Sequence, residues 1–292
     1  MKQTILIGLT VLFFGCVSPG KKTLDNPFYA FNNCVRTLPN APQTMEEQAK
    51  LIKEIGFDGF AGHTSEDYYQ RRTALNEVGL MMPEIYWGMT LKETGEITYK
   101  EEIKDIIRDS EGRDLMVALF LNAPAHMDNK EEGDPLVAEG IGELADYAAR
   151  YGAKVAVYPH ANNYCETIDH AVKLAELAGR ENAGLVFNTC HLLKVEGEEG
   201  WKEKALAALP HLYMVSINGA DSGNTKEMGW DRLIQPLGEG TFDTYEVVRF
   251  MKDNGYEGLF GLQCYNIDQD CETALRKSMK TWNYYQQRYS QE

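Results

Sequence analysis

The chain has 292 residues, 43% hydrophobic and 25% charged, with a formal net charge of −15. That is enough material for a sizeable core, arranged as two domains or as one α/β barrel. The acidity argues against nucleic acid, which needs a basic groove, and against tight adsorption to an anionic membrane surface.

The N-terminus reads as an address. Lys2 precedes an apolar run, residues 5–14, and then Gly15-Cys16. A basic start, a short apolar segment and a small residue before the cut describe a secretory signal. The run is about half of the ~20 residues a spanning helix needs. Ending on Phe-Phe-Gly-Cys, it resembles a bacterial lipoprotein signal. The resemblance implies cleavage before Cys16, lipidation of that thiol, and an exported protein anchored in the periplasm or at the cell surface. Residues 1–15 are then the signal peptide, 16–26 a tether and 27–292 the folded domain.

Residues 28–34, a short aromatic run, predict the first strand. Thr44-Met45-Glu46-Glu47 fits a capping box opening a helix through Ile55, with Gly56 as its stop. A second strand, 57–61, ends at Gly62-His63, and Ser65 opens a helix closed by Gly79. A third strand begins at 80–82, with Glu84, Tyr86 and Trp87 beyond it, and 99–109 reads as helix. A fourth strand, 115–121, ends at Asn122 and His126. Residues 135–151 carry apolar side chains at three-and-four spacing, the helical period. The fifth strand, 154–158, ends in Pro159-His160 and leads to a helix at 166–179. The sixth, 184–187, ends in Asn188-Thr189-Cys190-His191, and 201–209 reads as helix. The seventh, 212–217, ends in Asn218-Gly219-Ala220-Asp221. A long polar loop, 222–240, precedes a helix at 245–254. The eighth strand, 258–262, ends in Gln263-Cys264-Tyr265, and a last helix spans 271–289.

Eight alternating strand–helix units predict parallel strands closed into a single (β/α)8 TIM barrel. The rival, an open doubly wound sheet, lacks its usual signal, since no GxGxxG follows an early strand. Without a Walker A loop either, no nucleotide cofactor is expected. There is also no GxSxG elbow or HExxH. Beyond Cys16 the five cysteines, Cys34, Cys165, Cys190, Cys264 and Cys271, form neither a disulfide framework nor a CxxC zinc site. Export permits a bond between Cys165 and Cys190 on adjacent loops; most of the five read as small buried apolar residues.

In a barrel the carboxyl ends of the strands converge on one mouth. Those ends carry Asn32, His63, Glu84, His126, His160, Asn188, His191, Asn218, Asp221 and Gln263. A lone histidine beside a strand is more often a hydrogen-bonded structural residue, which is the reading for His63 and His126. His160 and His191 differ, because adjacent strands should present both to one pocket.

The eight-unit order and the segments AGLVFNTCHLLK, LYMVSINGAD and PLGEGTFDTYEVVRFMKDNGYEGLFGLQCY carry a resemblance. From Phe28 onward the chain resembles the xylose-isomerase-like barrels, a family of sugar phosphate isomerases and epimerases. Gly238-Glu239-Gly240-Thr241-Phe242-Asp243 matches that family's G-x-G-x-[FIVL]-[DN] segment before the seventh helix. The resemblance implies the fold but not the reaction, since this fold hosts many chemistries. It also implies a divalent metal held near strands five to eight by Glu, Asp, His and Glu. The corresponding positions here are His160, Asn188, Asn218 and Gln263, with the Asp-x-x-His pattern kept as Asn188-Thr189-Cys190-His191. Amides in place of carboxylates disfavour Mg²⁺. The imidazoles of His160 and His191, aided by Glu84 or Asp221, suit a softer ion such as Zn²⁺ or Mn²⁺. The same substitutions resemble an exported branch that shares the Tyr-Pro-His, Asn-Gly-Ala-Asp and Gly-Leu-Gln segments.

Family isomerases and epimerases take a proton from the carbon next to a sugar carbonyl. That needs a base near the working pH and a group to hold the enolate oxygen. His160 and His191 have the intrinsic pKa, and Glu84 is a second candidate base if Tyr86 and Trp87 desolvate it. Asn188, Asn218, Gln263 and Asp221 are candidate contacts to sugar hydroxyls. Trp87, Tyr158, Tyr164 and Trp230 are candidates either to stack on a pyranose or to pack at the rim. Such a mouth suits an uncharged sugar better than a phosphate, which wants Arg or Lys; near the strand ends only Arg36 and Lys194 supply them. The expectation is an exported isomerase or epimerase acting on a neutral sugar or oxidised glycoside, with elimination beside a keto group as a close variant. A carbohydrate-binding lipoprotein without catalysis is the alternative. Endonuclease chemistry on the same barrel fails on acidity, export and the missing carboxylates.

Overall fold

Parallel pairing carries the chain round a closed ring. The computed structural model describes residues 22–62 and 65–292. The signal segment with Cys16, and His63, lie outside the described residues. The elements in order are β1 (Phe28–Ala30), α1 (Asn33–Arg36), α2 (Met45–Ile55), β2 (Gly59–Phe60), α3 (Ser65–Val78), β3 (Glu84–Leu91) and β4 (Ile97–Tyr99). Then come α4 (Glu102–Asp109), β5 (Met116–Asn122), α5 (Lys130–Ala149), β6 (Lys154–Val157), α6 (Ile168–Ala178), β7 (Ala183–Asn188), α7 (Thr189–Val195) and α8 (Trp201–Ala208). The chain finishes with β8 (Leu212–Ile217), α9 (Trp230–Leu233), α10 (Thr244–Asp253), β9 (Leu259–Leu262) and α11 (Cys271–Tyr289).

The sheet order is β2-β1-β9-β8-β7-β6-β5-β3-β4. Parallel bridges Gly59–Met81 and Gly62–Ile85 join the two sides of this order. The result is an eight-stranded parallel barrel, as expected, with β4 added antiparallel on β3 outside the ring. That hairpin is a departure. The third strand does not begin at residues 80–82 but at Glu84, so Glu84, Tyr86 and Trp87 lie within it. Gly95, at φ +83°, makes the turn from β3 to β4. Three further helices were not expected: α1 takes Asn33–Arg36, so the first strand stops at Ala30 and does not run through residue 34; α7 follows β7 directly; and α9 interrupts the 222–240 loop.

Local chemistry explains the boundaries. Thr44 accepts from the Glu47 N–H at 3.2 Å while Glu47 accepts from the Thr44 N–H at 3.4 Å, closing the capping box of α2. Gly56, at φ +104°, ends that helix in the left-handed region. α5 starts at Lys130 rather than Pro135 because the Asn129 carboxamide caps it, accepting from the Glu132 N–H. Cys34, Cys165, Cys190, Cys264 and Cys271 are all buried and unbonded, so Cys165 and Cys190 form no disulfide. Among the described residues no helix is long and apolar enough to cross a membrane.

The Gly238–Asp243 segment works as a clamp on the end of β8. Phe242 N–H donates to Ala220 O at 2.9 Å, Thr244 Oγ1 to Asn218 O at 2.9 Å, and Ser222 N–H to Thr241 Oγ1 at 2.9 Å. Gly240 lies at φ +78°, and a Cβ there would collide with the Ala220 carbonyl. Gly56 is equally left-handed, but a Cβ there would meet open space. Gly56→Ala should therefore cost about 1 kcal/mol of backbone strain, and Gly240→Ala at least about twice that through the added collision. Urea unfolding of both variants checks the order; equal losses would mean that the clamp yields.

Candidate functional site

The barrel interior is built in tiers of ring and amide. Phe31 meets Tyr86 edge-on at 5.7 Å between centroids, and Tyr86 meets Tyr158 at 5.0 Å. Tyr158 in turn lies 6.2 Å from the His160 ring and 6.1 Å from the His191 ring. The two imidazoles are 3.9 Å apart, and Trp230 of α9 covers His191 edge-on at 5.1 Å. The pairing of adjacent strands β6 and β7 brings the two histidines together, His160 from the loop after β6 and His191 from the first turn of α7. His160 is partly exposed and His191 is buried.

The loop that carries His160 is pinned from outside. Its N–H donates to Cys165 O and Tyr164 N–H donates to Leu121 O, both at 2.9 Å. The Tyr164 hydroxyl donates to Asp134 at 2.7 Å; His170 and Lys173 also contact that carboxylate. Burial raises the Asp134 pKa, and the bonds from Lys173, Tyr164 and His170 outweigh it, leaving the carboxyl below its ordinary value. Tyr164 is thus a fully buried anchor and not a stacking face.

Backbone groups, whose polarity cannot change, orient the amides of Asn218, Asn188 and Gln263. The Asn218 NH₂ donates to Gly219 O at 2.6 Å and Leu233 O at 2.7 Å, which leaves its buried Oδ1 without a partner. Asn188 Oδ1 accepts from the His191 N–H and the Cys190 thiol, which leaves its buried NH₂ without one. Gln263 Oε1 accepts from the Tyr265 N–H and from Asn33, whose own Oδ1 takes the Cys264 N–H. The Gln263 NH₂ is therefore the free end. The Asn32 Oδ1, Ser216 Oγ and Tyr86 hydroxyl are also buried without partners. A buried polar atom left without any partner costs about 1–3 kcal/mol, so these atoms are available to water or to a polar guest. Ser216 was not foreseen as a site residue, although a serine inside the apolar run LYMVSI was a legible signal; register sets it between Asn188 and Gly261.

Three expected site residues are placed elsewhere or otherwise engaged. Trp87 is on the face of β3 opposite Tyr86, as strand alternation requires, and its indole N–H donates to Lys100 O at 3.1 Å. Glu84 is fully buried, one strand repeat below Tyr86, and accepts from the Tyr29 hydroxyl at 2.6 Å. Asp221 is paired with Arg232 at 2.8 Å. Of the basic residues, Arg36 is exposed and the Lys194 ammonium is spent on the carbonyls of Lys226 and Met228. His126 is buried in the turn before α5. A cavity of about 210 Å³ lined by Tyr68, Arg72, Met81 and Arg113, and one of about 370 Å³ beside Glu198 and Lys226, contain none of the mouth residues.

The pattern of the xylose isomerase-like TIM barrels matches residues 49–285. The chain belongs to that family. An inosose dehydratase of Bacillus cereus (strain AH820) is 24% identical over 250 residues, covering 75% of this chain and 82% of that protein. Among solved structures, the IOLI protein with a bound zinc atom superposes with a TM-score of 0.71 at 15% identity, over 90% of this chain and 99% of that one. The 3-keto-D-glucoside 4-epimerase YcjR of E. coli superposes with a TM-score of 0.65 at 18% identity, over 89% and 99%. These structures share the fold.

The residues of this xylose isomerase-like barrel do not fit a divalent cation. The strand ends supply amides in place of carboxylates, Glu84 is buried against Tyr29, and Asp221 is held by Arg232. A ligating histidine needs a bare nitrogen toward the metal while its other nitrogen donates. His160 meets that pattern, its Nδ1 facing Ala161 O at 2.8 Å. His191 reverses it: its Nδ1 accepts the Ala161 N–H at 3.2 Å, so in the neutral ring Nε2 keeps its proton. The expected two-imidazole site is thereby reduced to one competent nitrogen.

Two measurements follow from these placements. Trp87→Phe should lower stability by about 1 kcal/mol through the lost hydrogen bond and leave sugar affinity unchanged by calorimetry; a tenfold loss of affinity would put the indole back at the mouth. Burial pushes the Glu84 carboxyl up to about 8, against the Tyr29 bond that favours its charged form. The folded chain keeps this proton while the unfolded chain releases it near ~4.3. Its contribution to stability therefore falls as pH rises from that value to about 8. Glu84→Gln should gain stability relative to the parent more at pH 8 than at pH 5 in urea unfolding; an equal difference at both would mean a charged carboxylate throughout.

Proposed function

We propose that this chain is an exported enzyme that removes the proton next to the carbonyl of a neutral keto-sugar or oxidised glycoside. The observation that carries the reading is the His160–His191 pair, with ring centroids 3.9 Å apart, ringed by amides and aromatics, with the Lys194 ammonium spent on backbone carbonyls. Burial lowers the His160 pKa below the ordinary imidazole value, which keeps the ring neutral and able to accept a proton. A phosphate would call for a guanidinium or ammonium, so an uncharged ligand fits better. The named relatives support the same class: a dehydratase and an epimerase of keto-sugar-like compounds both begin, in general chemical terms, by losing the hydrogen beside a carbonyl. From the enolate, returning the proton exchanges or inverts the carbon, and loss of a neighbouring hydroxyl gives elimination.

The His160 loop supplies the base, and the donors of Asn188 and Gln263 and the acceptor of Asn218 engage hydroxyls. The Lys2–Cys16 stretch supports export with a lipid anchor, a setting in which unphosphorylated sugars are the available substrates. The non-catalytic alternative makes a different forecast. With a 3-keto-glucoside in D₂O, the enzyme should exchange the hydrogen next to the ketone for deuterium, followed by NMR. His160→Ala should slow this about 10²–10⁴-fold. Saturable binding without exchange would establish a binder instead.

A further inference from the structure

The backbone of one residue, Ala161, holds both imidazoles. Its carbonyl faces His160 Nδ1 at 2.8 Å, and its N–H faces His191 Nδ1 at 3.2 Å. A carbonyl can only accept, so the Nδ1 of His160 carries the proton and its Nε2 is bare. An amide N–H can only donate, so the Nδ1 of His191 is bare and its Nε2 carries the proton. The two peptide groups that flank one alpha carbon thus set the neighbouring rings in opposite tautomers.

We propose that this opposition divides the chemistry: His160 Nε2 takes the proton, and His191 Nε2–H holds the developing enolate oxygen of an α-hydroxy ketone. The inference rests on the proton-abstraction reading above and adds the assignment of roles. In the step, the C–H bond next to the ketone breaks and an N–H bond forms at His160. The C–H electron pair becomes the C=C bond, and the carbonyl π pair moves to oxygen, which receives the hydrogen bond from His191. The proton then returns to carbon, or leaves with a β-hydroxyl as water.

The surroundings agree with this assignment. Two positive rings 3.9 Å apart would repel each other, so a proton gained by His160 keeps His191 neutral and donating. His191 is 5% exposed and covered by Trp230 and Tyr158, which places its hydrogen bond where water competes least. His160 is the more exposed of the two, as a group that exchanges protons needs to be. The unpaired Asn218 Oδ1 and Asn188 NH₂ add an acceptor and a donor in fixed orientation, a match for hydroxyls flanking the ketone.

The test uses the full chain labelled with ¹⁵N-histidine. Long-range ¹H–¹⁵N correlation near pH 8, assigned with His160→Gln and His191→Gln, should find His160 protonated on Nδ1 and His191 on Nε2. The same tautomer on both rings overturns the division whatever the turnover. In deuterium exchange from a 3-keto-glucoside, His191→Phe should lower kcat about 100-fold with little change in KM, and His191→Gln, which keeps a donor, should recover to within about tenfold of the parent. Equal losses in the two variants overturn the donor role. Exchange should persist in EDTA; loss that added Zn²⁺ restores assigns the oxygen to a cation and overturns it as well. Opposite tautomers with no exchange at all would instead sink the proton-abstraction reading beneath the proposal.

Discussion

A peptide group has no choice of polarity: its oxygen accepts and its nitrogen donates. That constraint organises the barrel mouth more than any charge does. Carbonyls of Gly219 and Leu233 turn the Asn218 amide, N–H groups of Tyr265 and Cys264 turn Gln263 and Asn33, and Ala161 turns both histidines. Some barrels of this fold bind zinc or magnesium. Here the orientation of neutral groups by the main chain takes over the ordering of the site.

Such a site needs a stiff frame, because a rotated amide exchanges a donor for an acceptor. The frame comes from two sides. The Tyr164–Asp134 bond and the backbone bonds of Tyr164 and His160 hold the loop after β6. The Gly238–Asp243 clamp holds the end of β8 by main-chain contact so close that Gly240 admits no side chain. Between them, the buried Asn188, Asn218 and Ser216 atoms that no protein group satisfies are left to water or to a ligand.

Much of this was legible in the chain itself. The strand at 212–217 and the helix at 271–289 lie where their periodicity predicts, because long or cleanly bounded runs leave one reading. The meeting of His160 and His191 followed from adjacent parallel strands. The β3–β4 hairpin did not, since the apolar Leu80-Met81-Met82 competed with a longer alternating run starting at Glu84. That error carried Trp87 to the wrong place: within a strand, Tyr86 facing inward forces its neighbour outward. The histidine tautomers depend on the N–H and C=O of an alanine, and nothing in a side-chain pattern encodes which way a peptide faces.

The five thiols have a practical corollary. Each is sealed from solvent, and burial holds the Cys34, Cys165, Cys190 and Cys271 groups in the unreactive protonated form. They are spread from the α1 helix to the first turn of α11, with no exposed sulfur among them to react first. Alkylation of these five can then proceed only when the barrel opens, so their labelling rate is a clock for the opening of the ring.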